Sequence, residues 1–142
     1  MTTIAFDGVT LAADTRRTFG VTPKDDTTKI HTFSKGPWKY GAAAGDVFQI
    51  LAFYDYLEGN REDPGLTDDD AIVLVVNEAG QAYAINHLNI PYQTPVPWAI
   101  GTGGDYAMGA MHAGKTAVEA VQIASKLDVN TGPEVRHVRV TE

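Results

Sequence analysis

The sequence opens with MTTIAFDGVTLAAD (Met1–Asp14), in which two short apolar runs flank the dipeptide Asp7-Gly8. Asp-Gly is a strong signal for a two-residue β-turn, because glycine adopts positive φ angles without a steric penalty. The pattern therefore predicts a tight hairpin, with one strand from Thr3 to Phe6 and a second from Val9 to Ala13.

Thr2 directly precedes this hairpin and follows the starting methionine. Removal of Met1 would leave a free α-amine beside the Thr2 hydroxyl, and an N-terminal amine is one of the bases that activate a weak hydroxyl nucleophile. Many chains begin with Met-Thr without catalytic purpose, so this feature alone assigns no function. It makes Thr2 a candidate nucleophile that the rest of the sequence must support.

The composition indicates one globular domain spanning residues 1–142, with 44% hydrophobic and 20% charged residues. The formal net charge of −7 argues against nucleic-acid binding, because an acidic surface repels phosphates. The chain has no cysteine, which excludes disulfides and thiolate metal sites. Its longest apolar run, AIVLVV (Ala71–Val76), is far too short to span a membrane. No signal peptide is recognisable, so we expect a cytoplasmic protein without membrane contact.

The hydrophobic periodicity predicts an antiparallel-rich α+β fold. Helical spacing marks Asp46–Glu58 and one long segment, Gly104–Leu127. The acidic Asn60–Asp70 is a predicted loop, and the polar Asp14–Thr28 is either a loop or a ragged strand end. The predicted strands beyond the first hairpin are Lys29–Phe33, Lys39–Ala43, Ala71–Asn77, Gln81–Asn86, Trp98–Gly101 and Val135–Val140.

The glycine-rich segment IGTGGDYA (Ile100–Ala107) has the form of a dinucleotide-binding turn between a strand and a helix. A doubly wound nucleotide-binding domain needs several βαβ units, and too little chain follows this segment to build them. We therefore interpret it as a tight strand-to-helix turn.

Five further motifs follow Thr2-Thr3-Ile4 along the chain. They are Ala13-Asp14, Lys29-Ile30, GAAAGD (Gly41–Asp46), Gly101-Thr102-Gly103-Gly104 and Asp128-Val129-Asn130-Thr131-Gly132. In this order they resemble the proteasome β-subunit family, and especially its bacterial peptidase subunit. The resemblance covers nearly the whole chain and implies an N-terminal nucleophile (Ntn) hydrolase fold, a four-layer αββα sandwich of two antiparallel sheets.

The resemblance implies a threonine endopeptidase without a metal or organic cofactor. Thr2 would be the nucleophile, and the Lys29 ammonium, paired with Asp14, would disfavour protonation of the α-amine that serves as base. The residues that match the family's catalytic positions are Thr2, Asp14, Lys29, Thr102, Asp128 and Thr131. Alignment on Asp46 gives Ala42 as the backbone N–H donor of the oxyanion hole and puts Tyr40 and Ala44 at the substrate pocket.

Two features depart from the family pattern. Thr102 stands where the family usually has serine, and Asn60–Asp70 replaces a second helix, so we expect one outer helix to be missing. Two other functions therefore stay open: a catalytically silent, proteasome-like scaffold or assembly subunit, and an Ntn hydrolase of small amides.

The expected partners are polypeptide substrates and further copies of the chain. An unfoldase ATPase, which serves the family's bacterial member, is a partner that the sequence leaves open. Aromatic residues at more than one face of the first helix, namely Phe48, Phe53, Tyr54 and Tyr56, suggest a contact that favours a homo-oligomer. No metal site is predicted, because His31, His87, His112 and His137 lack the spacing of metal ligands.

Overall fold

The computed structural model describes residues 2–19, 22–24 and 28–140. Its strands are β1 (Thr3–Phe6), β2 (Thr10–Asp14), β3 (Arg17–Phe19), β4 (Thr22–Lys24), β5 (Ile30–Thr32), β6 (Trp38–Ala44), β7 (Ile72–Asn77), β8 (Ala82–Asn86), β9 (Tyr92–Gln93), β10 (Trp98–Gly101) and β11 (Val135–Arg139). Its helices are α1 (Val47–Leu57), α2 (Gly104–His112) and α3 (Ala117–Leu127).

Two antiparallel sheets form the centre of the fold. One is four-stranded in the order β10-β1-β2-β11, and the other is five-stranded in the order β5-β6-β7-β8-β9. Alternate residues of both sheets point inward and share one apolar core, which includes Ile4, Leu11 and Leu74. The predicted first hairpin is present as β1 and β2, with Gly8 at a φ of 98° in its turn.

Helices cover the outer faces of both sheets. Phe53 of α1 packs in a second core with Val73 of the five-stranded sheet. Val121 of α3 packs in a third core with Ala5 and Ala12 of the four-stranded sheet, where these small side chains allow close approach. Because helices lie on both outer faces, the predicted αββα sandwich is confirmed.

The single long helix predicted for Gly104–Leu127 is wrong, because the segment forms two helices, α2 and α3. Gly114 adopts a φ of 98°, which is incompatible with continued helix. Thr116 then starts α3 with a capping box: its hydroxyl accepts from the Glu119 N–H, and the Glu119 carboxylate accepts from the Thr116 N–H.

The predicted helix Asp46–Glu58 is present as α1, with Asp46 as its N-cap and Glu58 as its C-cap. The segment Asn60–Asp70 contains no helix, as predicted. Its backbone is held to α1 instead, because the Gln49 side-chain oxygen accepts from the N–H groups of Thr67 and Asp68. The five-stranded sheet is therefore covered by one helix among the described residues.

The aromatic residues of α1 differ from the prediction. Phe53 and Tyr54 are buried, and Tyr56 stacks on Phe53 with ring centroids 5.8 Å apart. Phe48 alone among the four is strongly exposed, at 76%, and Leu51 one turn later is 53% exposed. The apolar surface available to a neighbour on α1 is thus the pair Phe48 and Leu51, because the other aromatics belong to the core.

Three short strands were not assigned from the sequence. β3 and β4 form a hairpin inside Asp14–Thr28, although residues 20, 21 and 25–27 of that segment lie outside the described residues. The short β9 pairs with β8 at the edge of its sheet. No helix in the described part of the chain is long and apolar enough to cross a membrane.

Candidate active site

Thr2 directly precedes β1, the strand between β10 and β2, and is only 7% exposed. Its carbonyl oxygen accepts a 3.4 Å hydrogen bond from the Gly103 N–H. A Cβ on Gly103 would collide with the Thr3 hydroxyl, so glycine is required for this close approach. The glycine-rich turn after β10 therefore packs against the N-terminal strand, which agrees with its interpretation as a strand-to-helix turn.

The Asp14 carboxylate connects four separate parts of the chain at the end of β2. One oxygen accepts from the Thr3 N–H at 3.0 Å and from the Lys29 ammonium at 2.8 Å. The other accepts from the backbone N–H groups of Arg16 at 3.2 Å and Gly132 at 2.8 Å. These hydrogen bonds satisfy a carboxylate that is fully buried.

Lys29 brings its ammonium group to the Thr2 hydroxyl. Its Nζ donates to the Thr2 Oγ1 at 2.9 Å and to Asp14 at 2.8 Å, and its side chain is 1% exposed. Burial lowers the pKa of Lys29, although the adjacent Asp14 carboxylate opposes this effect. The structure thus brings the three predicted residues together, with Lys29 in contact with both Thr2 and Asp14.

A second hydrogen-bonded group lies beside the first. The Thr3 and Thr131 hydroxyl oxygens are 2.7 Å apart, and the Thr131 hydroxyl donates to the Asp128 carboxylate at 2.7 Å. The same carboxylate oxygen accepts from the Thr102 hydroxyl at 2.6 Å. The predicted residues Thr102, Asp128 and Thr131 are therefore together, and Thr3 joins them to the strand that carries Thr2.

The hydrogen bonds to Asp128 also affect its ionisation. Partial burial would raise the pKa of this carboxyl, but hydrogen bonds from Thr102, Thr131 and the Asn130 N–H outweigh that effect. They hold the pKa of Asp128 below its ordinary value. The carboxylate is consequently an acceptor for both threonine hydroxyls at neutral pH.

A cleft of about 710 Å³ opens beside Thr2. Its walls include Thr2, Thr102 and Ala44, together with Phe48 at the start of α1 and Ile72 of β7. A volume of this size is typical of a ligand-binding site. The candidate nucleophile therefore lies at the wall of a cleft.

Ala42, expected at the oxyanion hole, and Tyr40, expected at the substrate pocket, do not line this cleft. Ala42 is fully buried in the core between the sheets, where it pairs with Ile30 and Leu74, and Tyr40 packs against the same core. Ala43 and Ala44 are the residues of β6 that reach the cleft. The assignment of Ala42 to the oxyanion hole stays a prediction, as does a pocket role for Tyr40.

Several residues of the site escaped the sequence analysis. The Thr3 hydroxyl belongs to the Asp128 network, and Arg16 and Arg17 line the cleft beside Thr2. The two adjacent arginines soon after Asp14 could have indicated a role at the site, because such a pair is conspicuous in an acidic chain. Within the described residues, no group of three or more His, Asp or Glu side chains could hold a metal ion.

The two antiparallel sheets between outer helices give the chain the αββα sandwich architecture. No protein-family model and no curated protein matches the sequence. Solved structures match over nearly the whole chain. Eukaryotic HslV from Trypanosoma brucei has a TM-score of 0.73 at 20% identity, with 99% of each chain covered. Thiobacillus denitrificans BPH has a TM-score of 0.72 at 20% identity and covers 97% of this chain and 96% of its own.

A third similar structure is a Gly-1 mutant of Anbu from Hyphomicrobium sp. strain MC1. Its TM-score is 0.68 at 13% identity, with 98% of this chain and 81% of the Anbu chain covered. The chain thus has the HslV-like fold that the sequence resemblance implied.

Proposed function

We propose that this protein is a threonine-type peptidase that cleaves peptide bonds in the manner of proteasome subunits, with Thr2 as its nucleophile. The observation that carries the proposal is the 2.9 Å hydrogen bond from the buried Lys29 ammonium to the Thr2 hydroxyl oxygen. A donated hydrogen bond of this kind stabilises the alkoxide character that develops on the oxygen during attack. The hydroxyl also lies at the wall of a cleft.

The proposal needs a free α-amine on Thr2, and therefore removal of what precedes it. The amine accepts the hydroxyl proton while Oγ1 attacks the peptide carbonyl carbon. Collapse of the tetrahedral intermediate breaks the C–N bond, and the leaving amine takes up the proton. Water then hydrolyses the Thr2 ester, which releases the second product and restores the hydroxyl.

The Asp128 network acts on position rather than on the reacting atoms. Thr102 lies on the cleft beside Thr2, and its hydroxyl is fixed by Asp128. Thr131 fixes Thr3, the next residue along β1, through their paired hydroxyls. These contacts hold the nucleophile in one orientation, which is where much of the rate gain of a catalytic site originates.

A similar structure suggests the probe for a test. Thiobacillus denitrificans BPH has also been solved in complex with epoxomicin, and that structure has a TM-score of 0.69 at 19% identity to this chain. Epoxomicin is a peptide epoxyketone, whose two electrophilic carbons can be bridged by a hydroxyl and an amine on the same residue. We expect it to form such an adduct with processed Thr2.

The experiment compares three variants with the processed wild type. Thr2→Ala keeps the amine but lacks the hydroxyl, and one additional residue before Thr2 keeps the hydroxyl but converts the amine into an amide. Both variants should lose peptide hydrolysis and the epoxomicin adduct measured by intact mass. Thr2→Ser keeps both groups and should retain part of the activity, because only a methyl group and rotamer restriction are lost.

Each outcome separates this function from its alternatives. Undiminished hydrolysis by the protein with a residue before Thr2 would contradict the mechanism. No adduct and no hydrolysis by the processed wild type would favour the silent scaffold subunit. An adduct with turnover of simple amides but not of peptides would favour the small-amide hydrolase.

We also propose that the protein forms a homo-oligomer. The support is the pair of exposed apolar side chains Phe48 and Leu51 on α1. Both residues belong to α1, the helix that packs on the five-stranded sheet. A contact there would cover both side chains and extend the wall of the cleft, which Phe48 lines.

A further inference from the structure

The cleft beside Thr2 is lined by a guanidinium group for which the described residues provide no hydrogen-bond or ion-pair partner. Arg17 is half-buried and lines this cleft, just after the Asp14 motif. Within residues 2–19, 22–24 and 28–140, its side chain makes no hydrogen bond and no ion pair. Arginine side chains that are withdrawn from water are usually paired, so this one is available to a ligand.

Asp14, the nearest carboxylate in sequence, cannot serve as that partner. Its two oxygens already accept from the Thr3 N–H, the Lys29 ammonium and the backbone N–H groups of Arg16 and Gly132. Two carboxylate oxygens offer about four acceptor positions, and all are in use. The negative charge of Asp14 raises the pKa of Arg17 through space, but the two groups form no ion pair.

Three other carboxylates line the cleft, and none pairs with Arg17 in the structure. Asp46 is committed to α1, because its Oδ1 accepts from the Phe48 and Gln49 N–H groups. Asp68 and Asp70 are exposed to solvent. Their charges are screened by water, whereas the charge of the half-buried Arg17 is screened less.

The electrostatic environment of the Arg17 guanidinium favours the binding of an anion. Burial lowers the pKa of Arg17, while the neighbouring Tyr54 and Asp14 raise it by a smaller amount. The pKa of guanidinium is so high that the group stays protonated at neutral pH. A carboxylate that enters the cleft would relieve the cost of desolvation through a bidentate, charge-assisted pair.

We propose that Arg17 binds a carboxylate of the peptide substrate, so that the enzyme prefers an acidic residue next to the bond that Thr2 attacks. This inference rests on the proposed function, because it names the substrate class of the same site. Because Arg17 lines the same cleft as Thr2, we assign the bound carboxylate to an acidic side chain of the peptide. A free C-terminal carboxylate offers the same chemistry and is tested separately.

The first test measures kcat/KM for fluorogenic peptides that differ only in Glu or Gln before the leaving group. The two side chains have nearly the same shape, so their ratio reports the charge. We expect processed wild type to prefer Glu on the order of tenfold, the effect of one charged hydrogen-bonded pair. Arg17→Met should abolish the preference, and Arg17→Glu should reverse it in favour of Lys.

Arg61→Met is the matched control. Arg61 lies on the loop after α1 and is paired with Asp63 at 4.0 Å, away from the lining of the cleft. Arg61→Met removes the same charge from the protein as Arg17→Met. Because Arg61 does not line the cleft, the preference for Glu should stay unchanged. Equal rates for Glu and Gln peptides in wild type, or faster cleavage after Lys, would overturn the proposal even if Arg17→Met failed to fold.

A binding measurement separates this inference from the proposed peptidase function. The Thr2→Ala protein is titrated calorimetrically with N-acetylated peptides that end in Glu-amide, Gln-amide or Gln with a free carboxylate. Tighter binding of Glu-amide that disappears in Thr2→Ala/Arg17→Met supports the side chain as the source, and the same result for free Gln supports the terminus. Binding of this kind without turnover would refute only the peptidase function. Turnover without discrimination would refute only the role of Arg17.

Discussion

Lys29 reaches Thr2 from the opposite sheet of the sandwich. Thr2 precedes β1 of the four-stranded sheet, whereas Lys29 precedes β5 of the five-stranded sheet, and the two side chains meet at 2.9 Å. The orientation of the hydroxyl therefore depends on how the two sheets pack. Mutations in the shared core should affect the site even where they lie far from it.

Lys29→Met should abolish most peptide hydrolysis while the fold persists. The variant fills the same space but removes the donor to the Thr2 hydroxyl, a loss on the order of a hundredfold or more in kcat by analogy with a lost oxyanion donor. Lys126→Met is the control, because Lys126 is exposed on α3. Circular dichroism monitors the fold, and wild-type turnover in Lys29→Met would show that the cation has no catalytic role.

Lys29 should also make the free energy of unfolding depend on pH in the alkaline range. Burial lowers its pKa in the folded protein, whereas the unfolded chain has the ordinary value of 10.5. Between these two values the unfolded state binds more protons, so the free energy of unfolding rises with pH. Relative to Lys29→Met, the wild type should gain stability as pH rises toward 10.5 and level off above it. Urea titrations across this range measure the difference, and a falling difference would contradict the lowered pKa.

Gly101→Ala should disturb both stability and the position of Thr2. Gly101 has a φ of 95°, and a Cβ at this position would collide with the Thr2 carbonyl oxygen. We expect a loss of about 1–3 kcal/mol in the free energy of unfolding. Gly109→Ala in α2 is the control, because its Cβ would meet nothing within 4 Å and helix propensity favours alanine. Equal stability of the two variants would argue against the strain at Gly101.

Thr3→Val should reduce turnover more than it reduces stability. Valine keeps the shape of threonine but loses the hydroxyl that lies 2.7 Å from the Thr131 hydroxyl. The free energy of unfolding should fall by about 1 kcal/mol, while kcat falls further because the Asp128 network no longer fixes β1. Thr3→Ser restores the hydroxyl and should recover kcat. Failure of serine to do so would show that only packing matters at this position.

Leu51→Glu should weaken the proposed homo-oligomer. Leu51 is 53% exposed on α1, so the substitution places a charge in the expected interface without disturbing the core. Light scattering after size exclusion should show smaller species than for wild type at equal concentration. A monomeric wild type at micromolar concentration would contradict the assembly itself.

Local signals explain which elements the sequence predicted well. The Asp7-Gly8 turn fixed the first hairpin, and the Asp46 cap fixed the start of α1. The break at Gly114 was missed because the alanine-rich periodicity continues across it, although the capping box that begins at Thr116 was visible in the sequence. Short β9 carries no pattern of its own, since it is a strand only through its pairing with β8.

For the site, the sequence motifs predicted which residues take part but not all of the contacts between them. The motifs named the residues that meet, but not that the Thr3 and Thr131 hydroxyls pair across 128 positions of sequence. Alignment on Asp46 gave Ala42 as a backbone N–H donor, and this stays a prediction. The sequence did not show that the Ala42 side chain faces the core between the sheets, where it is buried. A contact made by tertiary packing leaves no signal in the spacing of a single sequence.

The four hydrogen bonds to Asp14 also bear on the order in which the protein becomes complete during its synthesis. The Gly132 N–H lies 118 positions after the carboxylate that it contacts. A growing chain that has not yet released Gly132 from the ribosome lacks one of the donors that fix this carboxylate, and hence the setting of Lys29. The hydrogen bonds that set Asp14 and Lys29 beside Thr2 are therefore incomplete until Gly132 has emerged.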